Sequence, residues 1–369
     1  MKVAILGSQG VPAQYGGFET LVENIIGNNG SPDLQYTVFC SGKDFAEKLQ
    51  IYKGAVLKYI PFRANGIQST IYDIVSLTKV MTGYDTVLLL GISGCIALPL
   101  FRLCSGIKLI INIDGLEHKR GKWGRFAKKF LRLSEAFAVR YADVVITDNK
   151  GIQDFVSREY NRQSELIAYG GDHVLRDISD TEQQKILKQY HLDAGTYSLK
   201  ISRIEPENNC RMILDAFAET GEHIVFIGNW HINDFSRKLQ SQYAGYSNIH
   251  LIDSLYDLDV LFALRRHCKF YIHGHSAGGT NPSLVEAMFF GCPVFAYDVV
   301  FNKETTEYKA NYFKSGNELR KLITTDPSMF QENGRAMMEI ANRKYTWAKI
   351  AGQYEALYGN ARPIKANGI

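Results

Sequence analysis

The sequence predicts an α/β protein made of two doubly wound, Rossmann-like domains with parallel sheets. Short apolar or β-branched runs that end at glycine or another turn residue recur along the 369 residues, with helical periods between several of them. The alternation restarts after a polar segment, 177–192. A chain of this length also exceeds the ~150 residues of a typical domain, which favours two domains.

The first half opens with the strand-like run KVAILG (2–7), which precedes an apolar stripe at helical spacing (18–26). The runs QYTVFC, DTVLLLG, KLIINIDG, DVVITD and ELIAYG follow. Parallel strands joined by crossover helices account for this order. We therefore predict the N-terminal domain over 1–172.

The second half contains the runs YSLKIS, HIVFIG, NIHLID, KFYIHG and PVFAYD. They predict a second domain over 173–344, with a linker at about 173–195. Open parallel sheets bind ligands beyond the carboxyl ends of their strands. Site residues are therefore expected in the loops that follow these runs.

Composition excludes several classes of protein. With 46% hydrophobic residues, 22% charged residues and a net charge of +4, nothing indicates a nucleic-acid partner. The six cysteines form no C-x-x-C pair, which fits a reducing compartment such as the cytoplasm. The longest apolar run, 91–101, is shorter than the ~20 residues of a membrane-spanning helix. We expect a protein that is soluble or bound to a membrane surface.

The stretch HGHSAGGTNPSLVEAM (273–288) predicts a ligand site at a helix start. Asn281 is a favourable N-cap, and Gly279 and Thr280 precede the helix start, where the backbone N–H groups of the first turn and the helix dipole favour a phosphate. Glu286, inside the helix, is suited to accept hydrogen bonds from a ribose diol. The alternative is that the glycines only form a turn and that Glu286 is a solvated helix residue.

Two further loops carry similar features. Gly16 and Gly17 precede the first helix, so they form a second glycine-lined helix start. Arg203 follows the run YSLKIS, and its guanidinium suits bidentate phosphate contact. No G-x-G-x-x-G fingerprint or P-loop is present, which argues against nicotinamide cofactors and Walker-type nucleotide binding.

These motifs resemble a known family. The glycine-rich first loop, SRIEPENN and GGTNPSLVEAMFFGCPVFAYD together resemble retaining glycosyltransferases of the two-Rossmann GT-B architecture, family GT4. GSQGVPAQYGGFETLVENI, NIDGLEHKRGKW and HGHSAGGTNPSLVEAM resemble its rhamnosyltransferases of capsule and O-antigen assembly. The resemblance implies two domains facing a cleft, the first binding the acceptor and the second the nucleotide sugar. KYTWAKIAGQYEALY resembles the family's C-terminal helix, so the resemblance implies a separate segment over 345–369 that crosses back to the first domain.

The resemblance also implies roles for individual residues. Arg203 would bind the donor diphosphate, and Glu286 would hold the ribose. Gly16 and Gly17 would let the first loop approach the leaving phosphate or the sugar. The remaining implied donor-binding positions are Asn208, Gly279, Thr280 and Asn281.

Three positions depart from the family pattern. Asn208 stands where the family has a lysine, which removes a cation from the diphosphate site. Gly278 and Asp114 replace a glutamate and a histidine that contact sugar hydroxyls in many members. A site built to bond a missing hydroxyl leaves a buried polar atom unpaired, at a cost of about 1–3 kcal/mol. The replacements therefore fit a 6-deoxy sugar, and we predict dTDP-L-rhamnose as donor.

The implied mechanism is a dissociative front-face transfer with retention, in which the leaving phosphate helps to deprotonate the acceptor. Arg203 would stabilise the developing charge. Asp114 would orient the sugar, stabilise oxocarbenium character or assist the acceptor hydroxyl; alternatively it is a turn residue. We expect no cofactor and no metal. His273 and His275 form an H-x-H without an evident third ligand, which favours a place near phosphate or sugar.

Residues 118–133 contain seven Lys/Arg and no acid. Such a helix can lie on an anionic membrane, at the inner face of the cytoplasmic membrane, where a lipid-diphosphate-linked saccharide acceptor would sit. The alternative is a helix that packs its apolar stripe on its own sheet. The predicted membrane and acceptor residues are Lys122, Trp123, Arg125, Phe126, Lys128 and Lys129.

Other functions stay open from the sequence. The same fold would serve a transferase that uses UDP- or GDP-hexose. A nucleotide-sugar 2-epimerase also has two Rossmann domains, and it would convert the donor without an acceptor. A non-catalytic nucleotide-sugar-binding protein would bind donor without turnover.

Overall fold

The computed structural model describes residues 1–14, 16–66, 68–113, 115, 118 and 124–359. Within these residues the chain divides into two units. The first unit contains Met1–Tyr169 and the segment that begins at Trp347. The second unit contains Gly170–Thr346.

The first unit is built on an eight-stranded sheet. Its strands are β1 (Lys2–Leu6), β2 (Gln35–Ser41), β3 (Ile51–Tyr52), β4 (Ala55–Ile60), β5 (Thr86–Leu90), β6 (Lys108–Ile113), β7 (Val144–Thr147) and β8 (Glu165–Leu166). Their order is β3-β4-β2-β1-β5-β6-β7-β8. Neighbouring strands are parallel except for the antiparallel pair β3 and β4.

Helices cover this sheet because each carries an apolar stripe. They are α1 (Gly17–Gly27), α2 (Gln68–Lys79), α3 (Leu98–Cys104), α4 (Arg125–Tyr141) and α5 (Lys150–Tyr160). The predicted stripe of α1 is confirmed, since Leu21, Val22, Ile25 and Ile26 are buried. These side chains pack into one core with the strands, as expected for crossover helices.

The second unit is built on a six-stranded parallel sheet. Its strands are β9 (Tyr197–Ile201), β10 (His223–Ile227), β11 (Ile249–Ile252), β12 (Phe270–His273), β13 (Val294–Tyr297) and β14 (Asn311–Phe313). Their order is β11-β10-β9-β12-β13-β14. This is the doubly wound order of Rossmann folds.

The helices of the second unit pack on both faces of its sheet. They are α6 (Asp180–Gln189), α7 (Cys210–Thr220), α8 (Asp234–Tyr243), α9 (Leu258–Arg266), α10 (Pro282–Met288), α11 (Val300–Thr305), α12 (Gly316–Ile323) and α13 (Gln331–Lys344). The following helix, α14 (Trp347–Gly359), belongs to the first unit. There it contacts α1, and four of its side chains enter the apolar core: Trp347, Ile350, Tyr354 and Tyr358.

The predicted pair of doubly wound sheets is confirmed, and the strand-like runs all contain strands. Three strands were missed: β3, which has only two residues, β4, whose buried and exposed residues alternate, and β14, which has only three residues. The run ELIAYG forms a strand only over its first two residues, in β8. β3, β8 and β14 are edge strands, which are often short, so their apolar patterns are weak.

Candidate functional site

Each sheet has a point at which the strand order reverses: between β1 and β5, and between β9 and β12. In the second unit, the pairing of β9 with β12 ends at Leu199 and Tyr271. The outer pairings of these two strands continue to Ile201 and His273. The strands therefore separate at their carboxyl ends, where doubly wound sheets bind ligands. We call this opening the β9–β12 crevice.

The loop after β9 borders the crevice and contains two predicted donor-binding residues. Arg203 is 40% exposed, and its Nη1 lies 3.7 Å from Glu205 Oε1. Asn208 is buried, and its side chain is already bonded within the protein. Its Nδ2 donates to the Arg203 carbonyl oxygen (2.8 Å), and its Oδ1 lies 2.9 Å from His275 Nδ1. Asn208 thus fixes the loop beside Arg203.

The loop after β12 lies against that turn. A Cβ on Gly274 would be 2.2 Å from the Asn208 carbonyl oxygen, so this position requires glycine. His273 is buried, and its Nε2 has no hydrogen-bond partner in the described residues. Burial, together with His275 and Lys200, lowers the pKa of His273, so its imidazole is neutral.

The helix start predicted at Asn281 is present. Asn281 Oδ1 accepts a hydrogen bond from the Ser283 N–H (3.0 Å), and α10 begins at Pro282. Gly278 has φ 122°, a left-handed conformation that favours glycine. Gly279 and Thr280 therefore lead directly into α10, as the sequence predicts. Their contact with a phosphate stays a prediction.

Glu286 is held by two residues that the sequence analysis missed. Arg265 Nη2 on α9 donates to Glu286 Oε2, and His173 Nε2 lies 3.7 Å from Glu286 Oε1. Arg265 is only 2% exposed, and its Nε and Nη1 have no partner in the described residues. One signal was available: Arg265 follows Leu261 and Leu264 at the spacing of an apolar stripe.

In the first unit, Gly16 is the N-cap of α1 and has φ 132°. A Cβ on Gly16 would be 1.9 Å from Glu19 Oε2, so a larger residue would collide with that carboxyl group. Glu19 Oε1 accepts a hydrogen bond from the Gln9 N–H (2.7 Å), and burial raises the Glu19 pKa. Glu23 similarly accepts from the Ala13 N–H (2.6 Å). Two carboxyl groups therefore fix the first loop on α1.

Three predicted residues, Asp114, Lys122 and Trp123, lie outside the described residues. Nearby, the structure contains a contact that the sequence analysis missed. His118 Nδ1 lies 3.0 Å from Glu135 Oε2, and the Tyr160 hydroxyl donates to Glu135 Oε1 (2.6 Å). The Glu135 side chain is fully buried, so it holds the imidazole of His118 in a fixed orientation.

The predicted basic helix is α4, and its N-terminal half is solvated. Phe126 is 90% exposed, and the buried residues of α4 all lie in its C-terminal half. The alternative, in which the helix packs its apolar stripe on the sheet, therefore does not hold for Phe126. Neighbouring α3 adds two exposed leucines. We call this region the α3–α4 surface: Leu100, Leu103, Arg125, Phe126, Lys128, Lys129, Phe130 and Leu133.

Two further searches cover the described residues alone. Among them, no group of three or more His, Cys, Asp or Glu is placed to hold a metal ion. In the same part of the chain, no helix is both long and apolar enough to cross a bilayer.

Residues 1–172 match a family model described as a domain of unknown function, DUF1972. No curated protein matches the chain in sequence. Solved structures do match its fold. Sucrose-phosphate synthase from Thermosynechococcus elongatus aligns with a TM-score of 0.81 and 16% identity, over 97% of this chain and 98% of that chain.

Two other solved structures show the same likeness. HepE of Anabaena, in complex with UDP-glucose, aligns with a TM-score of 0.77 and 16% identity, over 98% of this chain and 100% of that chain. The catalytic domain of starch synthase IV from Arabidopsis thaliana, bound to ADP and acarbose, gives 0.70 and 12%, over 97% and 98%. The predicted GT-B fold is therefore confirmed.

Proposed function

We propose that the chain is a glycosyltransferase that moves a sugar from a nucleotide-sugar donor to a saccharide acceptor. The β9–β12 crevice carries the proposal, because Arg203, the Gly279–Thr280 turn and Glu286 are on the unit that contains it. Support comes from the fold, which resembles that of HepE solved with UDP-glucose. The chemistry is transfer of a glycosyl group from a diphosphate, which needs charge stabilisation above all.

Donor binding follows from the residues of the second unit. Arg203, being exposed, would contact the diphosphate, while the backbone N–H groups of Gly279 and Thr280 would donate to it. Glu286 would accept a hydrogen bond from the sugar of the nucleoside. Since Arg265 bonds to Glu286 Oε2, the nucleoside would bond to Oε1, which lies 3.7 Å from His173 Nε2. One bond suffices for the 2′-deoxyribose of a dTDP donor.

The transferred sugar in this proposal is L-rhamnose, with dTDP-L-rhamnose as donor, as in the rhamnosyltransferase subgroup of family GT4. In many family members, the residues at the positions of Gly278 and Asp114 form hydrogen bonds with hydroxyl groups of a hexose. Gly278 and Asp114 would not form those bonds. The first loop, with Gly16 and Gly17, would approach the sugar. The Glu19 carboxyl group beside Gly16 favours the sugar over the leaving phosphate as the group that the first loop approaches. A carboxyl group accepts hydrogen bonds from sugar hydroxyls and, when ionised, repels phosphate.

Transfer would proceed with retention and without a metal or cofactor. The bond from the anomeric carbon to the diphosphate oxygen breaks, and the acceptor oxygen bonds to the same face. The departing diphosphate takes the acceptor proton. Arg203 would stabilise the charge that develops on the diphosphate, and Asp114 would orient the sugar.

The acceptor in this proposal is a lipid-diphosphate-linked saccharide in capsule or O-antigen synthesis, at the inner face of the cytoplasmic membrane. The α3–α4 surface supports this, because exposed Phe126 and Leu103 are beside basic side chains without burial against the sheet. An aromatic and leucine face with lysines suits an anionic lipid surface.

A thermal-shift panel tests the donor. The purified chain is heated with dTDP, UDP, GDP and ADP, each alone and as its sugar conjugate. A ligand at 100 times its Kd adds about 2.7 kcal/mol of stability, so we expect a clear rise in Tm with dTDP and dTDP-rhamnose. Arg203→Gln should lose the response, whereas Arg211→Gln, which alters an exposed arginine of α7, should keep it.

Each other outcome contradicts a defined part of the proposal. A response to UDP and UDP-glucose alone would replace the donor with UDP-hexose, the class bound by HepE. Conversion of free dTDP-rhamnose without acceptor would identify an epimerase. Binding without transfer to any lipid-linked saccharide would indicate a binding protein, and no response at all would reject nucleotide-sugar chemistry.

A further inference from the structure

The β9–β12 crevice contains a buried cation. Lys200, on β9, is 1% exposed and lies one residue beyond the last pairing of β9 with β12. Its ammonium lies over the Phe226 ring, with Nζ 5.1 Å from the ring centroid, which is a cation–π contact. The ammonium lies 3.1 Å from the position that a Cβ on Gly274 would occupy. Lys200 therefore reaches across the crevice from one strand toward the loop of the other.

Among the described residues, this cation has no counter-charge: no carboxylate forms a salt bridge with Lys200, and no oxygen accepts a hydrogen bond from it. Burial lowers the Lys200 pKa to about 8, with Cys210 acting in the opposite direction. An ammonium group removed from water without an anionic partner is costly. The arrangement favours a ligand that brings negative charge.

A second group in the crevice also lacks a partner. His273, on β12, is buried, and its Nε2 has no hydrogen-bond partner in the described residues. It lies close enough to Lys200 for the ammonium to lower its pKa. Because the imidazole is neutral, one ring nitrogen carries a hydrogen, which suits an oxygen acceptor. Within the described residues, an ammonium without a counter-charge and an imidazole nitrogen without a hydrogen bond therefore border one opening.

We propose that Lys200 binds the donor diphosphate and supplies, from strand β9, the positive charge that Asn208 does not carry. This inference rests on the proposed function and adds a residue to its site. Asn208 is tied to the Arg203 carbonyl and to His275, so its side chain serves the loop. Gly274 leaves room for the ammonium beneath that loop, where a side chain would collide with the Asn208 carbonyl.

Lys200→Met tests the proposal, because methionine keeps the length of the stem and removes the charge. Isothermal titration with dTDP should show about 10–100-fold weaker binding, the loss expected for one charge-assisted contact. The ligand-free variant should melt no lower than wild type, since a desolvated charge is removed. Lys200→Arg should bind dTDP more tightly than Lys200→Met.

Lys269→Met is the matched control, because Lys269 immediately precedes strand β12 of the same sheet and is paired with Glu222. It should keep the wild-type affinity for dTDP. Equal affinity in wild type and Lys200→Met, with a lower Tm of the variant, would show a structural lysine and overturn the proposal. If wild type itself binds no nucleoside diphosphate, the proposed function fails first, and Lys200 loses its assigned ligand.

The pH dependence of dTDP binding to the wild-type protein tests the role of Lys200 without any variant, so the result does not depend on whether a variant folds. The titratable groups near Lys200 are Cys210 and His273, and burial holds both neutral around pH 8. Since a protonated Lys200 is required, dTDP affinity should fall about tenfold from pH 7 to pH 9. Inorganic pyrophosphate should follow the same profile, and thymidine should not. A flat profile for dTDP would contradict the proposal.

Discussion

Arg265 and Glu286 show how one buried pair sets the chemistry of a candidate site. Arg265 is almost completely buried on α9, and it fixes one oxygen of the carboxylate that we assign to the nucleoside. Removing one partner of such a pair leaves an uncompensated charge, which costs about 3–5 kcal/mol. Stability and donor binding therefore depend on the same contact.

We predict that Glu286→Leu lowers the free energy of unfolding by about 3–5 kcal/mol, because Arg265 is left unpaired. The double variant Arg265→Met, Glu286→Leu should recover most of that loss, since both charges are removed. Urea unfolding followed by tryptophan fluorescence measures both. Glu182→Gln, which breaks an exposed pair with Lys185, should change stability by less than about 0.5 kcal/mol. An additive double variant would contradict the coupling.

For single residues, the sequence predicted those features that depend only on neighbours in the chain, such as helix caps. Asn281 caps α10 and Gly16 caps α1, because cap preferences act between neighbours in the chain. No function was predicted for Arg265 and Lys200, because the groups that each of them contacts lie on elements distant in sequence. Asn208 was assigned to the donor on resemblance, and its side chain is bonded within the protein.

Among the helices and strands, α4 is the element for which the sequence did not predict whether its apolar residues face the sheet or another surface. Its pattern fitted both a helix packed on the sheet and a helix on a membrane. Phe126 is exposed, while Ala138 and Val139 are buried, so the two halves of α4 have different environments. Periodicity alone does not separate them, because an apolar stripe looks the same whether a sheet or a lipid surface covers it.

We predict that reversing three charges of α4 (Arg125→Glu, Lys128→Glu, Lys129→Glu) abolishes binding to phosphatidylglycerol vesicles. Each basic residue contributes about 1 kcal/mol at an anionic surface, so binding should weaken more than about 100-fold. Vesicle co-sedimentation measures it. Reversal of Lys185 and Lys188 on α6 is the control and should have little effect. Equal sedimentation of all three proteins would reject the membrane role of the α3–α4 surface.

For the whole molecule, α14 connects the end of the described chain to the first core. Trp347, Ile350, Tyr354 and Tyr358 are almost completely buried among residues of β1, β2 and α1. Asn112 donates to the Tyr354 hydroxyl (2.6 Å), which adds a buried polar contact. Four such side chains contribute about 6–12 kcal/mol, comparable to the total stability of a domain.

We predict that ending the chain after Thr346 destabilises the first unit and spares the second. Amide exchange in β1 and β2 should accelerate more than about 100-fold, because the core loses four large side chains. Protection of β9 and β10 provides the internal control and should be unchanged. Hydrogen exchange read by mass spectrometry measures both sheets in one sample. Retained protection in β1 would contradict the role of α14.

The overall architecture was the most predictable level. Alternating strand and helix patterns predicted both sheets, since buried parallel strands are continuous apolar runs. The return of α14 to the first unit came from a family resemblance, because its own pattern does not say which core it enters. The sequence predicted doubly wound sheets but not the order of their strands, and that order determines where the β9–β12 crevice lies.

The return of α14 to the first unit also determines when the core of that unit can be completed during translation. The first unit ends at Tyr169, yet its core is completed by residues that begin 347 − 169 = 178 positions later. At about 5–20 residues per second, a ribosome needs roughly 9–36 s to cover that distance. During this time the apolar residues of α1, β1 and β2 lack the side chains of α14 that cover them. A nascent chain therefore exposes those residues to chaperones and proteases until translation has passed the second unit.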